Sequence, residues 1–133
     1  MLPEFNEHGN LPPGIYRASL FEIEERFGRE TEVRRVQTES LRWLVDLARR
    51  AGVQRIVIDG SFVSTTPEPN DVDCVLLTPE AFPLDPEAEE AILGGLPFLD
   101  VHLVDQEDFD YFLQRVFAED KRLRPRGVIE VVL

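Results

Sequence analysis

The stretch Arg55-Ile-Val-Ile-Asp-Gly-Ser-Phe-Val-Ser-Thr-Thr-Pro-Glu-Pro-Asn-Asp-Val-Asp-Cys-Val-Leu-Leu77 decides the fold. Short apolar runs rich in β-branched residues and bounded by turn residues read as strands, which predicts one over Gln54–Asp59 and another over Val72–Leu77. Between them, Gly60-Ser61 makes a turn, and Pro67 and Pro69 deny Ser64–Asn70 the hydrogen bonds of a ladder. That segment is predicted to be an irregular loop.

Working outward, a helix precedes this pair. Thr31 is its expected cap and Gly52 its stop, and Val33, Val36, Ser40, Leu41, Leu44, Leu47, Ala48 and Ala51 recur at helical steps. Trp43 lies beside that stripe and is read as ordinary packing. Ser19 and Glu22 have the spacing of a capping box for a shorter helix ending at Gly28, read as a left-handed cap. Residues 1–18 carry Gly9, Pro12, Pro13 and Gly14 without periodicity, and are expected to form an irregular arm docked through Leu2, Phe5, Leu11 and Ile15. His8 in that arm reads as a turn or surface residue.

Downstream, Asp85 is the expected cap of a helix over Pro86–Leu93. A strand is predicted at Phe98–Val104, a helix from about Asp105 to Ala118, and a largely apolar closing strand at Gly127–Leu133 that completes its own sheet or pairs with a second chain. Strands alternating with helices give an α/β (α+β) fold, a small mixed sheet flanked by helices. The 133 residues suffice for one domain, 1–133, with one core.

The net charge of −12 sets the class of partner. Duplex nucleic acid is gripped through basic surfaces, so this chain is a poor candidate for it. The cations cluster at Arg34-Arg35, Arg49-Arg50 and Lys121–Arg126, an arrangement suited to a small anion or an acidic patch on a protein. No apolar run is long enough to span a membrane, and the N-terminus lacks the basic and apolar regions of an export signal, which predicts a cytoplasmic protein. Cys74, the single cysteine, sits in an apolar strand and is expected to be a buried structural thiol.

The chemistry resides in the carboxylates. On a strand, Asp71 and Asp73 point to one face, next to the backbone N–H groups of the Gly60-Ser61 turn. Two acids and such a turn together can hold a divalent metal and a phosphate. A second pair, Asp108 and Asp110, falls on the predicted helix, where residues two apart diverge, and is read as acids favoured by the helix dipole. Asp100 is a third acid set into an apolar run, costly there unless paired, metal-bound or at an edge. His102 shares its strand face.

Strand, Gly-Ser, nine residues, Asp-x-Asp and a later strand acid, here Gly60-Ser61, Asp71-Val-Asp73 and Asp100, resemble the signature of the nucleotidyltransferases related to DNA polymerase beta. The resemblance spans residues 53–104, and the opening Pro3–Gly14 is similar to an uncharacterised bacterial group. It implies that Asp71, Asp73 and Asp100 are catalytic and bind Mg²⁺ or Mn²⁺, that Gly60 and Ser61 bind the nucleotide, and that an NTP is the NMP donor. The acceptor is unassigned, and a protein acceptor in a toxin–antitoxin or defence module is one form it takes. Small members of that superfamily often carry an arginine and a glycine soon after Gly-Ser, where this chain has Phe62-Val-Ser-Thr-Thr-Pro67. A substrate site completed by a protein partner or a second copy of the chain, and a non-catalytic protein-binding module on the same fold, are the alternatives that follow from that departure.

Overall fold

The computed structural model describes residues 2–133. The elements in order are β1 (Ile15–Ala18), α1 (Leu20–Phe27), α2 (Glu32–Ala51), β2 (Arg55–Asp59), a 3-10 turn (Ser61–Val63), β3 (Val72–Leu77), α3 (Pro86–Leu93), β4 (Leu99–Val104), α4 (Gln106–Tyr111) with a π turn after it (Phe112–Val116), and β5 (Val128–Val131). The described residues form one mixed five-stranded sheet in the order β1-β5-β2-β3-β4, an α+β architecture. β1 runs parallel to β5, β5 and β3 run antiparallel to β2, and β4 runs parallel to β3.

β2 and β3 are apolar on both sides because both sheet faces are covered. One face buries Ile56, Ile58, Cys74, Leu76 and Ile129 in the cluster that includes Leu41, Leu44 and Ala48 of α2 and Ala88 and Ile92 of α3. The other face buries Val57, Val75 and Leu77 with Phe109 and Phe117. That second cover is short, since α4 and its π turn supply it. The acids Asp59 and Asp73 lie on this same face, two residues beyond Val57 and before Val75.

The caps behave as their chemistry demands. Ser19 Oγ accepts from Glu22 N while Glu22 Oε1 accepts from Ser19 N, each at 3.1 Å. Asp85 Oδ1 accepts from the N–H groups of Glu87 and Ala88. Gly52 ends α2 with φ 90°, a left-handed conformation that glycine adopts without a Cβ penalty. Gly28 does not follow suit: it ends α1 with φ −101°, in the right-handed region.

Other expectations are corrected. The arm of residues 1–18 ends in β1, a strand whose partner β5 lies more than a hundred residues on, beyond the reach of local patterning. The closing strand, by contrast, takes the first of its two expected courses: it lies between β1 and β2 and completes its own sheet. Trp43 is 55% exposed rather than packed. The helix expected up to Ala118 stays α-helical only to Tyr111.

The largest departure concerns α2. Its first turns bury Arg34, Gln37 and Thr38, while Val36 faces solvent. Arg34, 2% exposed, donates to the carbonyls of Phe27, Ser61, Phe62, Ser64 and Thr66 at 2.6–3.4 Å. Thr31 Oγ1 donates to Pro67 O and Gln37 Nε2 to Pro69 O. The loop between β2 and β3 is thus strapped to α2 by side chains that satisfy its carbonyls, which two prolines and an irregular path keep out of any ladder. Arg34 is therefore a structural cation, not one of a surface cluster.

Replacing Arg34 by Met is expected to leave several part-buried carbonyls without a donor, at about 1–3 kcal/mol for each one left unsatisfied. Urea denaturation should show a loss of about 3 kcal/mol or more for Arg34→Met, and most of that loss for Arg34→Lys, which keeps the charge without the planar fork. A change below about 1 kcal/mol in both would refute this role for Arg34.

Candidate active site

Strand register assembles the site. Across the β2/β3 pair Asp59 stands opposite Asp73, and across β3/β4 Asp73 stands beside Asp100. Three carboxylates thus occupy one row on three adjacent strands, on one face and at one end of the sheet. Directly opposed residues have Cβ atoms roughly 5 Å apart. Asp71 precedes β3 in the connecting loop, exposed, and close enough for its charge to act on Asp73.

β5 enters the sheet at the same end, and the residue leading into it is Arg126. Its Nη2 donates to Asp59 Oδ2 at 2.7 Å. Asp59 is fully buried, and among the described residues neither its Oδ1 nor Arg126 Nε has a hydrogen-bond partner. Burial pushes the Asp59 carboxyl up to about 7, and nearby Asp73 adds to this, against the opposing pull of Arg126 and of a hydrogen bond from Gly60. Asp73 is also raised, first by burial and then by the charge of Asp100, with Arg126 partly offsetting both. Cys74 behind it is buried, and its thiol is raised well above the ordinary value by burial and by Asp73 and Asp100, which makes it inert.

Gly60 is required here. Its φ is 92°, and a Cβ added to it would collide with Asp73 Oδ2. The backbone of the Gly-Ser turn therefore lies against the central carboxylate of the row. Ser61 follows in the 3-10 turn, with its carbonyl held by Arg34 and by the Ser64 hydroxyl.

A cleft of about 590 Å³ opens over these groups. Gly60, Ser61, Asp71 and Asp73 line it, so four of the five expected site residues share one cavity. Asp100 does not line it. It stands at the open edge on β4 with its side chain 56% exposed, 3.4 Å from His102 Nε2. Lys121, Arg122, Arg124 and Arg126 line the same cleft, and so do Glu68 and Asp120. Sequence reasoning assigns Asp59 no role beyond ending a strand, and takes Arg126 only as a member of the Lys121–Arg126 cluster. The argument that singled out Asp100, an acid beside apolar strand residues, applies equally to Asp59.

The donor set suits a hard divalent cation. It is all oxygen, and the row carries more negative charge than Arg126 alone neutralises. Among the described residues no three His, Cys, Asp or Glu side chains form a ready-made metal cage. Magnesium does not demand one: it binds through one or two carboxylates, keeps several waters and takes substrate phosphates.

Residues 3–132 match DUF6932, a family of unknown function. The chain belongs to this family. No curated protein and no solved structure matches it. No helix among the described residues is long and apolar enough to cross a membrane. The match of the DUF6932 family takes in both walls of the cleft, from His8 to Arg126.

Asp59 gives the site a pH signature. Its folded value, about 7, lies above the ordinary 3.8, so folding favours the protonated acid. The corresponding stability is complete below the ordinary value and is lost as pH rises through about 7, at up to roughly 1.4 kcal/mol per unit within that window. Metal-free protein is therefore expected to lose stability to urea between about pH 4 and pH 7 and to level off above that, with a flatter profile in Asp59→Asn. Identical slopes in both proteins would show that Asp59 is not the titrating group.

Proposed function

We propose that this chain is a metal-dependent nucleotidyltransferase that moves an NMP from an NTP to an acceptor, in the cytoplasm. The observation that carries the reading is the register of Asp73 beside Asp100, with the Gly60-Ser61 backbone packed against Asp73 and Asp71 in the same cleft. The sequence resemblance to nucleotidyltransferases related to DNA polymerase beta points the same way, on the same residues.

Asp71 and Asp73 hold the metal, Mg²⁺ or Mn²⁺, and Asp100 is the third carboxylate within reach. When bound, the metal supplies a Lewis acid that neutralises charge on the triphosphate and on the departing pyrophosphate. The chain's own residues do the rest. Gly60, lacking a side chain, lets a phosphate approach the turn, and Ser61 offers a hydroxyl to it. The acceptor oxygen forms its bond to the α-phosphorus as the bond to pyrophosphate breaks, and Asp100, at the open edge, receives the acceptor's proton. That edge is where an acceptor has room, since Asp100 stands outside the nucleotide cleft. A protein acceptor in a toxin–antitoxin or defence pair is consistent with an acidic chain that disfavours duplex nucleic acid.

The second reading is a protein-binding module that keeps the fold without turnover. Phe62-Val-Ser-Thr-Thr-Pro67, standing where small members of the superfamily often carry an arginine and a glycine, is the observation in its favour.

Calorimetric titration with non-hydrolysable NTPs separates the two. The parent is expected to bind in a Mg²⁺-dependent manner, and Asp71→Ala or Asp73→Ala to weaken binding by about tenfold or more. Equal binding by the parent and both variants would end the catalytic proposal.

A further inference from the structure

The basic wall of the cleft is built, not incidental. Asp120 organises it with four hydrogen bonds: Oδ1 accepts from the N–H groups of Arg122 and Arg124 at 2.8 and 3.0 Å, and Oδ2 from Asn10 Nδ2 and Arg124 Nε at 3.0 and 2.8 Å. Burial pushes this carboxyl up, but the hydrogen bonds from Arg124, Asn10 and Arg122 outweigh it and hold Asp120 well below the usual carboxylate range. Asp120 therefore stays ionised while it shapes the turn. Leu123 adopts φ 61°, costly for a side-chain-bearing residue, and is 77% exposed, so packing of its side chain does not compensate. The turn closes through backbone bonds between Asp120 and both Leu123 and Arg124.

This turn is also bolted to the opposite wall. Asn10 is buried, pairs with Ser64 in a β-bridge, and reaches Asp120 with its amide. Its neighbour Gly9 accepts from Thr65 N at 3.0 Å. The N-terminal arm thus fixes the distance between the Gly60-Ser61 side and the basic side. His8 Nδ1 adds a contact with Arg124 at 3.0 Å.

Arg124 and Arg126 are partly spent on Asp120 and Asp59. Lys121 and Arg122 are exposed and have no carboxylate partner among the described residues. Both line the cleft together with Asp71 and Asp73. A cleft that holds both carboxylates and uncommitted cations suits an extended polyanion. One part of it is neutralised through a metal, the rest directly by lysine and arginine.

We propose that the Asp120–Arg126 turn is a polyphosphate clamp, in which Lys121 and Arg122 bind the terminal phosphates of a triphosphate. The clamp deepens the nucleotidyl-transfer reading and rests on it for the identity of the ligand as an NTP. Its phosphate chemistry is separable, because the cations act without the metal. The double substitution Lys121→Gln with Arg122→Gln touches only exposed side chains, so the fold is unaffected.

The test is calorimetric titration of the full chain with inorganic tripolyphosphate in metal-free buffer, alongside a non-hydrolysable NTP with Mg²⁺. Tripolyphosphate is expected to bind the parent, to bind the double variant about tenfold or more weakly, and to bind Asp73→Ala at least as well as the parent. No tripolyphosphate binding by the parent, or equal binding by the double variant, overturns the clamp. If the double variant loses tripolyphosphate while Asp73→Ala binds Mg²⁺ and the NTP like the parent, the clamp stands and nucleotidyl transfer falls. If the double variant binds tripolyphosphate normally and loses only an acidic protein partner, Lys121 and Arg122 belong to a docking surface and the clamp is refuted.

Discussion

The carboxylate end of the sheet depends on a guanidinium group buried without a carboxylate partner among the described residues. Arg34 gathers five carbonyls, four of them from the connection between β2 and β3. Desolvation lowers its proton affinity, with Glu30 opposing, yet an arginine so far above neutrality stays charged. Carbonyl dipoles therefore have to do what a counter-ion does elsewhere, and they can do so only if the loop takes one particular path. That path sets where Ser61 sits and how Pro69 delivers the chain to Asp71. Phe62 packs beneath the same guanidinium and against Phe27, so the apolar core braces the loop from below.

The second constraint is electrostatic. A row of acids in register on adjacent strands opposes folding unless a cation joins it, and the chain brings one of its own, Arg126, from the approach to β5. Arg126 meets Asp59, the most buried member, and only partly offsets the burial and neighbouring charge that act on Asp73. The gradient from a paired, buried acid to a half-exposed and then an exposed one runs across three strands. Such a gradient gives chemically identical side chains different tasks, the inner one structural and the outer ones open to ligand.

Much of this was legible in the residues. β3 and α3 have the expected limits because Asn70-Asp71 and Asp85-Pro86 punctuate them on one side and Thr78-Pro79 and Gly94-Gly95 on the other. The mixed sheet followed from strands alternating with helices. What stayed hidden shares one property: its partners are distant in sequence. β1 is four residues after a Pro-Pro-Gly turn and means nothing without β5. On α2, a helical wheel cannot tell a polar residue that grips a loop carbonyl from one that faces water, so Gln37 and Thr38 fall outside the apolar stripe and Arg34 counts only as one of the clustered cations. In the site, the spacing of Asp71 and Asp73 was visible, and the neighbouring Asp100 also. The opposition of Asp59 to Asp73 depends on β-register, and the approach of Lys121–Arg126 depends on Asn10, which no periodicity foretells.

The sheet order has a consequence for the time at which the cleft comes into being. β5 is inserted between β1 and β2, so β1 has no hydrogen-bonding neighbour until residues 128–131 are in place. Asn10 likewise waits for Asp120. On a ribosome, β2, β3 and β4 can pair with one another while the basic turn and the closing strand, the other neighbour of β2, are still being added. Loop-closure entropy then has to be met across nearly the whole chain in one late event. The carboxylate row is thus held by a growing polypeptide that still lacks Arg126, and the two walls of the cleft face each other only after the last strand has docked.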